Sequence, residues 1–222
     1  MTYVTANLHG EAARFQSLLQ SISFCDKDIL YVLGDSVDLG EGSMELLTDM
    51  SMRANIYPVA GEHDFLALRM LAGFDKMLKE GASPTPEFAA EMMAWANEGG
   101  KPTLDGFRAL DDEMREGVID YLSEFALYEE VEAGGKEYVL TYAGIADFDP
   151  DTALEDYQPE DFFVPAKKGD RFFDDRVLIV GCTPTESGRI ERDDGVIRLD
   201  CGALQGGSIA CLCLESGEEF YV

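Results

Sequence analysis

Apolar runs alternate with amphipathic stretches over the first eighty residues of the chain. Apolar, β-prone runs occupy residues 2–6, 29–33 and 55–60. Each is followed by a short polar loop and then by a stretch with helical spacing of its apolar residues, at 11–22, 41–52 and 65–78. Three strand–loop–helix units in succession predict parallel strands joined by crossover helices. The run at 29–33 has five consecutive apolar residues, so we expect that strand to be buried on both faces.

The middle of the chain, residues 81–128, has a loop at 82–86 and two stretches with a helical pattern. Helical spacing is found at 87–97, which contains Trp95, and again at 110–127. Residues 99–102, Gly-Gly-Lys-Pro, predict a break between the two helices. We expect this segment to form a helical insert beside the sheet, with its methionine and aromatic side chains in the core.

The last third of the chain is rich in short β-prone runs. The first two, 129–133 and 137–142, are separated by Gly134 and Gly135, which predicts a hairpin. A buried run at 176–180 follows an acidic, irregular stretch. Three further runs predict a meander, at 196–200, 208–214 and 219–222. The whole pattern predicts an α/β fold, with residues 1–222 in one domain.

The chain is strongly acidic. The chain has 44 acidic and 17 basic residues, for a formal net charge of −27. Such a charge repels nucleic-acid phosphates and anionic membranes, so we expect neither nucleic-acid nor membrane partners. It also disfavours phosphorylated ligands unless a metal or a local arginine reverses the field at the site.

The cysteines and the amino terminus predict a cytoplasmic location. The five cysteines are an odd number and lack the regular spacing of disulfide-bonded domains, which favours reduced, mostly buried thiols. No apolar run approaches the length of a membrane span, and the amino terminus lacks the features of a signal peptide. Cys211 and Cys213 alternate in one β-prone run, so both should point to the same face.

Polar side chains with metal-binding or proton-transfer chemistry follow the strand-like runs. In α/β sheets, ligands bind at the carboxyl ends of the strands. We therefore expect one cleft to collect the side chains at these ends, namely Asn7, His9, Asp35, Glu62, His63, Tyr142 and Cys182.

The order of these strand-end motifs resembles that of the calcineurin-like metallophosphoesterases, in particular the serine/threonine phosphoprotein phosphatase branch. The motifs are Asn7-Leu-His-Gly10, Gly34-Asp-Ser-Val-Asp-Leu-Gly40, Gly61-Glu-His-Asp64, Tyr142-Ala-Gly144 and Gly181-Cys-Thr-Pro184. The resemblance implies a four-layer α/β/β/α sandwich. It also implies phosphoester hydrolysis by two divalent metals, which clamp a phosphoryl oxygen and activate a bridging water.

The resemblance implies a role for each matching position. His9 matches a ligand of the first metal, and Asp35 matches the aspartate that bridges both metals. Asp38 and His63 match the catalytic pair that transfers the proton. The remaining four ligand positions hold Asn7, Glu62, Tyr142 and Cys182, and Leu39 stands where the family has its phosphate-binding arginine.

These substitutions predict a weakened metal site. Asn7 offers an oxygen without charge, and Glu62 is one methylene longer than the asparagine it replaces. Tyr142 must lose a proton with a pKa of about 10 before it can bind a metal. Cys182 is a soft ligand suited to zinc or iron. We expect at most one tightly bound divalent metal, Mn, Fe or Zn, with no bound metal as the other outcome.

Two functional classes follow from this pattern. The first is a catalytically impaired relative that serves as a binding or regulatory protein with an unknown protein partner. The second is an active phosphomonoesterase or phosphoprotein phosphatase with a single-metal centre, acting on a phosphorylated protein or a small phosphoester. Loss at several independent positions favours the first. The retained pair of His63 and Asp38 favours the second, although the same pair could simply support the turn. Three arginines are candidates for the phosphate contact: Arg69, Arg171 and Arg176.

Overall fold

The computed structural model of the chain describes residues 1–193 and 195–222. The strands in this part of the chain are β1 (Thr2–Ala6), β2 (Ile29–Leu33), β3 (Ile56–Val59), β4 (Tyr128–Ala133), β5 (Lys136–Thr141), β6 (Val177–Val180), β7 (Glu191–Asp193), β8 (Val196–Arg198), β9 (Ala210–Cys213) and β10 (Glu219–Tyr221). The α-helices are α1 (Ala12–Ser21), α2 (Ser43–Ser51), α3 (Glu62–Glu80), α4 (Pro86–Trp95), α5 (Lys101–Arg108) and α6 (Asp112–Ser123). Shorter elements are a π-helical turn at Ala96–Gly100 and 3-10 turns at Leu154–Asp156, Pro159–Phe163 and Ala203–Gln205.

The strands form two five-stranded sheets. The first has the order β10-β9-β1-β2-β3, and the second has the order β4-β5-β6-β8-β7. Strands β1, β2 and β3 are parallel, with Thr2 opposite Ile29 and Leu30 opposite Ile56, which confirms the predicted crossover units. The predicted hairpin is confirmed as well, because β4 and β5 pair antiparallel across Gly134 and Gly135.

Alternate residues of each central strand face opposite layers. Val4 and Ala6 of β1 face the layer between the two sheets, whereas Tyr3 faces the layer under helices α1 and α2. Cys211 and Cys213 both lie in this second layer, as their alternation predicts. Period-two alternation allows one strand to contribute to two apolar layers.

The layers stack as the predicted four-layer sandwich. Helices α1 and α2 cover the outer face of the first sheet through wholly buried side chains such as Phe15 and Leu46. The outer face of the second sheet is covered by the 3-10 turns at Leu154–Asp156 and Pro159–Phe163 and by the irregular chain around them, with Phe162 and Phe173 buried against it. Among the described residues, no helix is long and apolar enough to cross a membrane. The assignment of the whole chain to one domain stays a prediction.

The helical insert differs from the predicted pair of helices. The predicted break is present, because Gly99 has a φ angle of 123°, outside the helical region, and the chain kinks there between α4 and α5. The difference is α5 itself, a helix that the sequence pattern missed. Pro102 lies in the first turn of α5, where a missing N–H leaves no helical hydrogen bond unmade. The insert packs beside the first sheet in a cluster that contains Trp95, Phe107 and Val118.

The predicted carboxy-terminal meander is wrong. Strand β8 belongs to the second sheet, whereas β9 and β10 belong to the first. The chain changes sheets in the turn around Ala203–Gln205, which Gly202 and Gly206 flank with φ angles of 74° and 85°. Strand β7 was missed because its sequence, Glu-Arg-Asp, has no apolar residue. It pairs only with β8, at the edge of the second sheet.

Candidate functional site

Within each sheet, backbone hydrogen bonds connect the loops that follow neighbouring strands. His9 N donates to Asp35 O at 2.7 Å, and Asn7 N donates to Gly34 O at 3.2 Å. In the second sheet, Gly181 N donates to Tyr142 O at 2.9 Å. Five non-glycine residues of these loops have left-handed φ angles between 41° and 68°: Asn7, His9, Asp35, Asp38 and Leu39. Such strain persists where the surrounding structure holds it, and it concentrates at functional sites.

Asp35 lies at the centre of the site. Its side chain is buried, and each carboxylate oxygen already accepts a hydrogen bond. Oδ1 accepts from the backbone N of His63 at 3.0 Å, and Oδ2 accepts from the phenol of Tyr142 at 2.8 Å. His9 Nε2 lies 3.8 Å from Oδ2, too far for a direct hydrogen bond.

One cation fits the side chains that surround Asp35. Ligand atoms of His9, Asp35 and His63 all lie within 4.8 Å of one another. His63 Nδ1 contacts Asp38, so Nε2 is the nitrogen left for a metal. Two imidazoles and a carboxylate suit divalent Mn, Fe or Zn. The cluster includes His63, to which the family pattern gives proton transfer, together with the expected ligands His9 and Asp35.

The residues do not fit a second cation. Burial and the neighbouring Asp35 carboxylate raise the pKa of Tyr142 far above its usual value, so its phenol stays protonated and donates to Asp35. Burial raises the pKa of the Cys182 thiol to about 11, which keeps it a thiol at neutral pH. Glu62 is exposed on the first residue of α3. The positions that would complete a second metal site thus offer a phenol, a thiol and a solvent-facing carboxylate.

Asn7 joins the two sheets. Its side-chain amide donates to Gly181 O at 2.5 Å and to Asp200 Oδ2 at 3.1 Å. The buried Oδ1 of Asn7 has no hydrogen-bond partner within the described residues. Asp200, whose pKa is raised by burial, was not among the predicted site residues. Its signal was present, since it ends the apolar run at 196–200 as the other site residues end theirs.

The two histidines carry different charges. Burial lowers the pKa of His9 more than the Asp35 carboxylate raises it, so His9 is neutral at pH 7. Burial also lowers the pKa of His63, but its hydrogen bond to Asp38 and the charge of Asp35 outweigh this effect and raise the pKa to about 9. His63 Nδ1 lies 2.9 Å from Asp38 Oδ2, and the two imidazole rings are nearly perpendicular, 5.4 Å apart. In the metal-free protein, an imidazolium therefore faces the carboxylate of Asp35.

Two further residues support the site, and the sequence pattern predicted this role for neither of them. Asp64 is buried and accepts hydrogen bonds from the backbone N–H groups of Ser36, Val37 and Gly61 at 2.8, 3.2 and 3.0 Å. It fixes the loop after β2 against the start of α3. Trp95, predicted as a core residue, is buried, and its indole also donates to Asp38.

The candidate phosphate-binding arginines are paired with acidic side chains. Arg69 pairs with Glu91, Arg171 with Asp174 and Arg176 with Glu130. Arg176 precedes β6, so it lies at the opposite end of that strand from the site. Leu39, at the position of the family arginine, is 41% exposed and packs against Gly99 of the insert.

Comparison with known families gives one match over most of the chain. A family model described as calcineurin-like phosphoesterase matches residues 2–198.

Curated relatives share a shorter stretch. A symmetrical bis(5'-nucleosyl)-tetraphosphatase from Buchnera aphidicola subsp. Acyrthosiphon pisum is 35% identical over 81 residues, which cover 36% of this chain and 30% of the relative. The protein of the same name from Haemophilus ducreyi is 38% identical over 78 residues, covering 34% of this chain and 29% of the relative. The match thus spans less than a third of either relative.

Solved structures share the fold at low identity. A putative diadenosine tetraphosphatase superposes with a TM-score of 0.67 at 16% identity, covering 100% of this chain and 92% of that one. A protein serine/threonine phosphatase from Saccharomyces cerevisiae superposes with a TM-score of 0.60 at 13% identity, covering 100% of this chain and 79% of that one.

Proposed function

The chain belongs to the calcineurin-like phosphoesterase family, and from this premise we propose that it is a catalytically impaired member that acts as a binding or regulatory protein. Its cleft holds at most one divalent metal and lacks the arginine that would grip a phosphate. Its ligand or partner is bound there without efficient hydrolysis.

The observation that supports this proposal is the hydrogen bond from Tyr142 to Asp35. Two-metal catalysis requires Asp35 to be shared between both ions. Here Oδ2 accepts the phenol proton of Tyr142 at 2.8 Å, and Oδ1 accepts the backbone N–H of His63. A buried phenol with a strongly raised pKa cannot serve as the anionic ligand that a second metal needs.

The retained side chains can still bind and orient a phosphoester. A cation held by His9, Asp35 and His63 would polarise a phosphoryl oxygen. Without it, the His63 imidazolium can donate a hydrogen bond to an anionic oxygen, and Asp38 fixes the direction of that donor. The exposed Leu39 follows Asp38 in the chain and adds apolar surface there in place of a charged contact.

A second candidate function is an active phosphoesterase with a single-metal centre. The observation that favours it is the close His9–Asp35–His63 cluster beside the intact Asp38–His63 pair. The names of the curated relatives suggest dinucleoside polyphosphates as substrates in that case, and the fold neighbours suggest phosphoproteins.

The cellular location and the classes of partner are also proposals. A cytoplasmic location is supported by the free thiols of all five cysteines. The net charge of −27 argues against nucleic acid or an anionic membrane as partner.

A turnover assay separates the two candidates. We expect the natural protein with Mn²⁺ to hydrolyse an aryl phosphate and diadenosine tetraphosphate at rates within about threefold of the His63→Ala variant. General acid catalysis contributes about 100- to 10,000-fold where it operates. A drop of that size on His63→Ala would replace the impaired-enzyme proposal with the single-metal enzyme.

A further inference from the structure

We infer that Trp95 is a positioning residue, which ties the helical insert to the Asp38–His63 pair and thereby sets the direction of the His63 ring. The inference rests on the proposed place of His63 in the single-cation site. It gives the insert, residues 81–128, a direct part in shaping the cleft.

One carboxylate oxygen serves both aromatic side chains. Asp38 is wholly buried, and its Oδ2 accepts from Trp95 Nε1 at 2.7 Å and contacts His63 Nδ1 at 2.9 Å. An indole nitrogen can only donate, so Trp95 always presents a proton to Asp38. The carboxylate is thereby held between the indole and the imidazole, and it cannot turn without breaking one of the two contacts.

The insert also holds the backbone beneath this carboxylate. Asp38 and Leu39 have φ angles of 68° and 66°, a conformation that costs free energy for residues with a side chain. Thr103 Oγ1 accepts from Asp38 N at 3.0 Å, and Gly99 O accepts from Leu39 N at 2.9 Å. With the indole bond, three insert residues contact two consecutive strained residues. The insert therefore stabilises the turn that carries Asp38.

Trp95 is itself fixed in place. Its side chain is 1% exposed, and the ring lies against Gly100, where a Cβ would come within 2.1 Å of the indole. Gly100 ends the π-helical turn that follows α4. Close packing leaves the indole one orientation, with its N–H toward Asp38.

The consequence for the site follows from the contact to Nδ1. Because Asp38 Oδ2 contacts Nδ1 of His63, the other ring nitrogen, Nε2, is directed to the cluster with His9 and Asp35. Loss of a partner that orients a metal-binding histidine typically lowers metal affinity about 10- to 100-fold. Trp95 acts one contact further out, so we expect the lower end of that range.

The test compares Trp95→Phe with a variant that weakens the insert elsewhere. Trp95→Phe keeps an aromatic ring and removes the N–H. Leu122→Ala truncates a buried side chain of α6, a helix that makes none of the three contacts to the turn. The readouts are the proton NMR signal of His63 Nδ1–H in the metal-free protein and the affinity for Mn²⁺ by calorimetry.

We expect Trp95→Phe to shift the His63 signal or speed its exchange with water, and to weaken Mn²⁺ binding by about tenfold. Leu122→Ala should change neither while lowering the melting temperature. Thr103→Val removes a hydroxyl that accepts from Asp38 N and hydrogen-bonds Ser43 Oγ. It serves where Trp95→Phe does not fold and should act in the same direction.

An unchanged His63 signal with Mn²⁺ affinity within twofold in Trp95→Phe, or equal changes in Leu122→Ala, would overturn the inference. If the natural protein binds no Mn²⁺, the single-cation proposal fails by that result alone. The NMR signal then decides the role of Trp95.

Discussion

Restoring the missing ligands should give the protein a second bound metal and measurable phosphatase activity. The combined variant replaces five residues: Asn7→Asp, Leu39→Arg, Glu62→Asn, Tyr142→His and Cys182→His. Its key step is the removal of the Tyr142 phenol, which frees Asp35 Oδ2 to bridge two ions. A metal contributes several kcal/mol to a phosphoryl-transfer barrier, and each 1.4 kcal/mol is tenfold in rate. We therefore expect hydrolysis of an aryl phosphate with Mn²⁺ to rise at least about 100-fold.

The same variant should also become metal-dependent for stability. The Asn7 amide now donates to Gly181 O and Asp200 Oδ2, so an aspartate there would face two acceptors without a proton between them. We expect a lower melting temperature than the natural protein without metal, and recovery on addition of Mn²⁺ because the ion binds only the folded state.

Adding His63→Ala to this variant is the control, since it should abolish the gained activity while the fold is retained. If the variant with all five substitutions folds well but binds no additional Mn²⁺, the natural residues at the ligand positions are not what prevents two-metal binding.

Removing the Asp64 side chain should destabilise the protein by at least about 3 kcal/mol. The carboxylate accepts from three backbone N–H groups at the loop after β2 and the start of α3. Each buried donor left without a partner costs about 1–3 kcal/mol. Asp64→Ala leaves three such donors, and urea denaturation would measure the loss.

Asp64→Asn is the matched control for this prediction. The amide keeps one acceptor oxygen and cannot ionise, whereas burial raises the pKa of Asp64 to about 8. We expect Asp64→Asn to cost less than half of what Asp64→Ala costs. Equal losses in the two variants would mean that packing, and not the three hydrogen bonds, accounts for the effect.

Local periodicity allowed much of the fold to be predicted. The alternation of apolar runs and helical stretches predicted β1, β2 and β3 with their crossover helices. A strand or helix that buries one face repeats its apolar residues with its own structural period, and this repeat is visible in the sequence. The position of polar residues at strand ends predicted that Asn7, Asp35 and Tyr142 lie in one site, since parallel strands end at a common edge.

Contacts between distant segments left no such pattern. Asn7 bonds Asp200 across 193 residues, and Trp95 bonds Asp38 across 57. A tryptophan on an apolar helix face is expected in the core, and nothing local indicates that its N–H has a partner in another segment. The same holds for the turn near Ala203–Gln205, where the change of sheet depends on how the two sheets pack.

The number of metal ions bound per chain distinguishes a single-cation site from a two-metal centre. Chelator-treated natural protein would be dialysed to equilibrium against excess Mn²⁺, and the bound metal would be counted by elemental analysis. Because Tyr142 donates to the one carboxylate that two ions would have to share, we expect no more than one equivalent. Two equivalents in the natural protein would contradict the single-cation site.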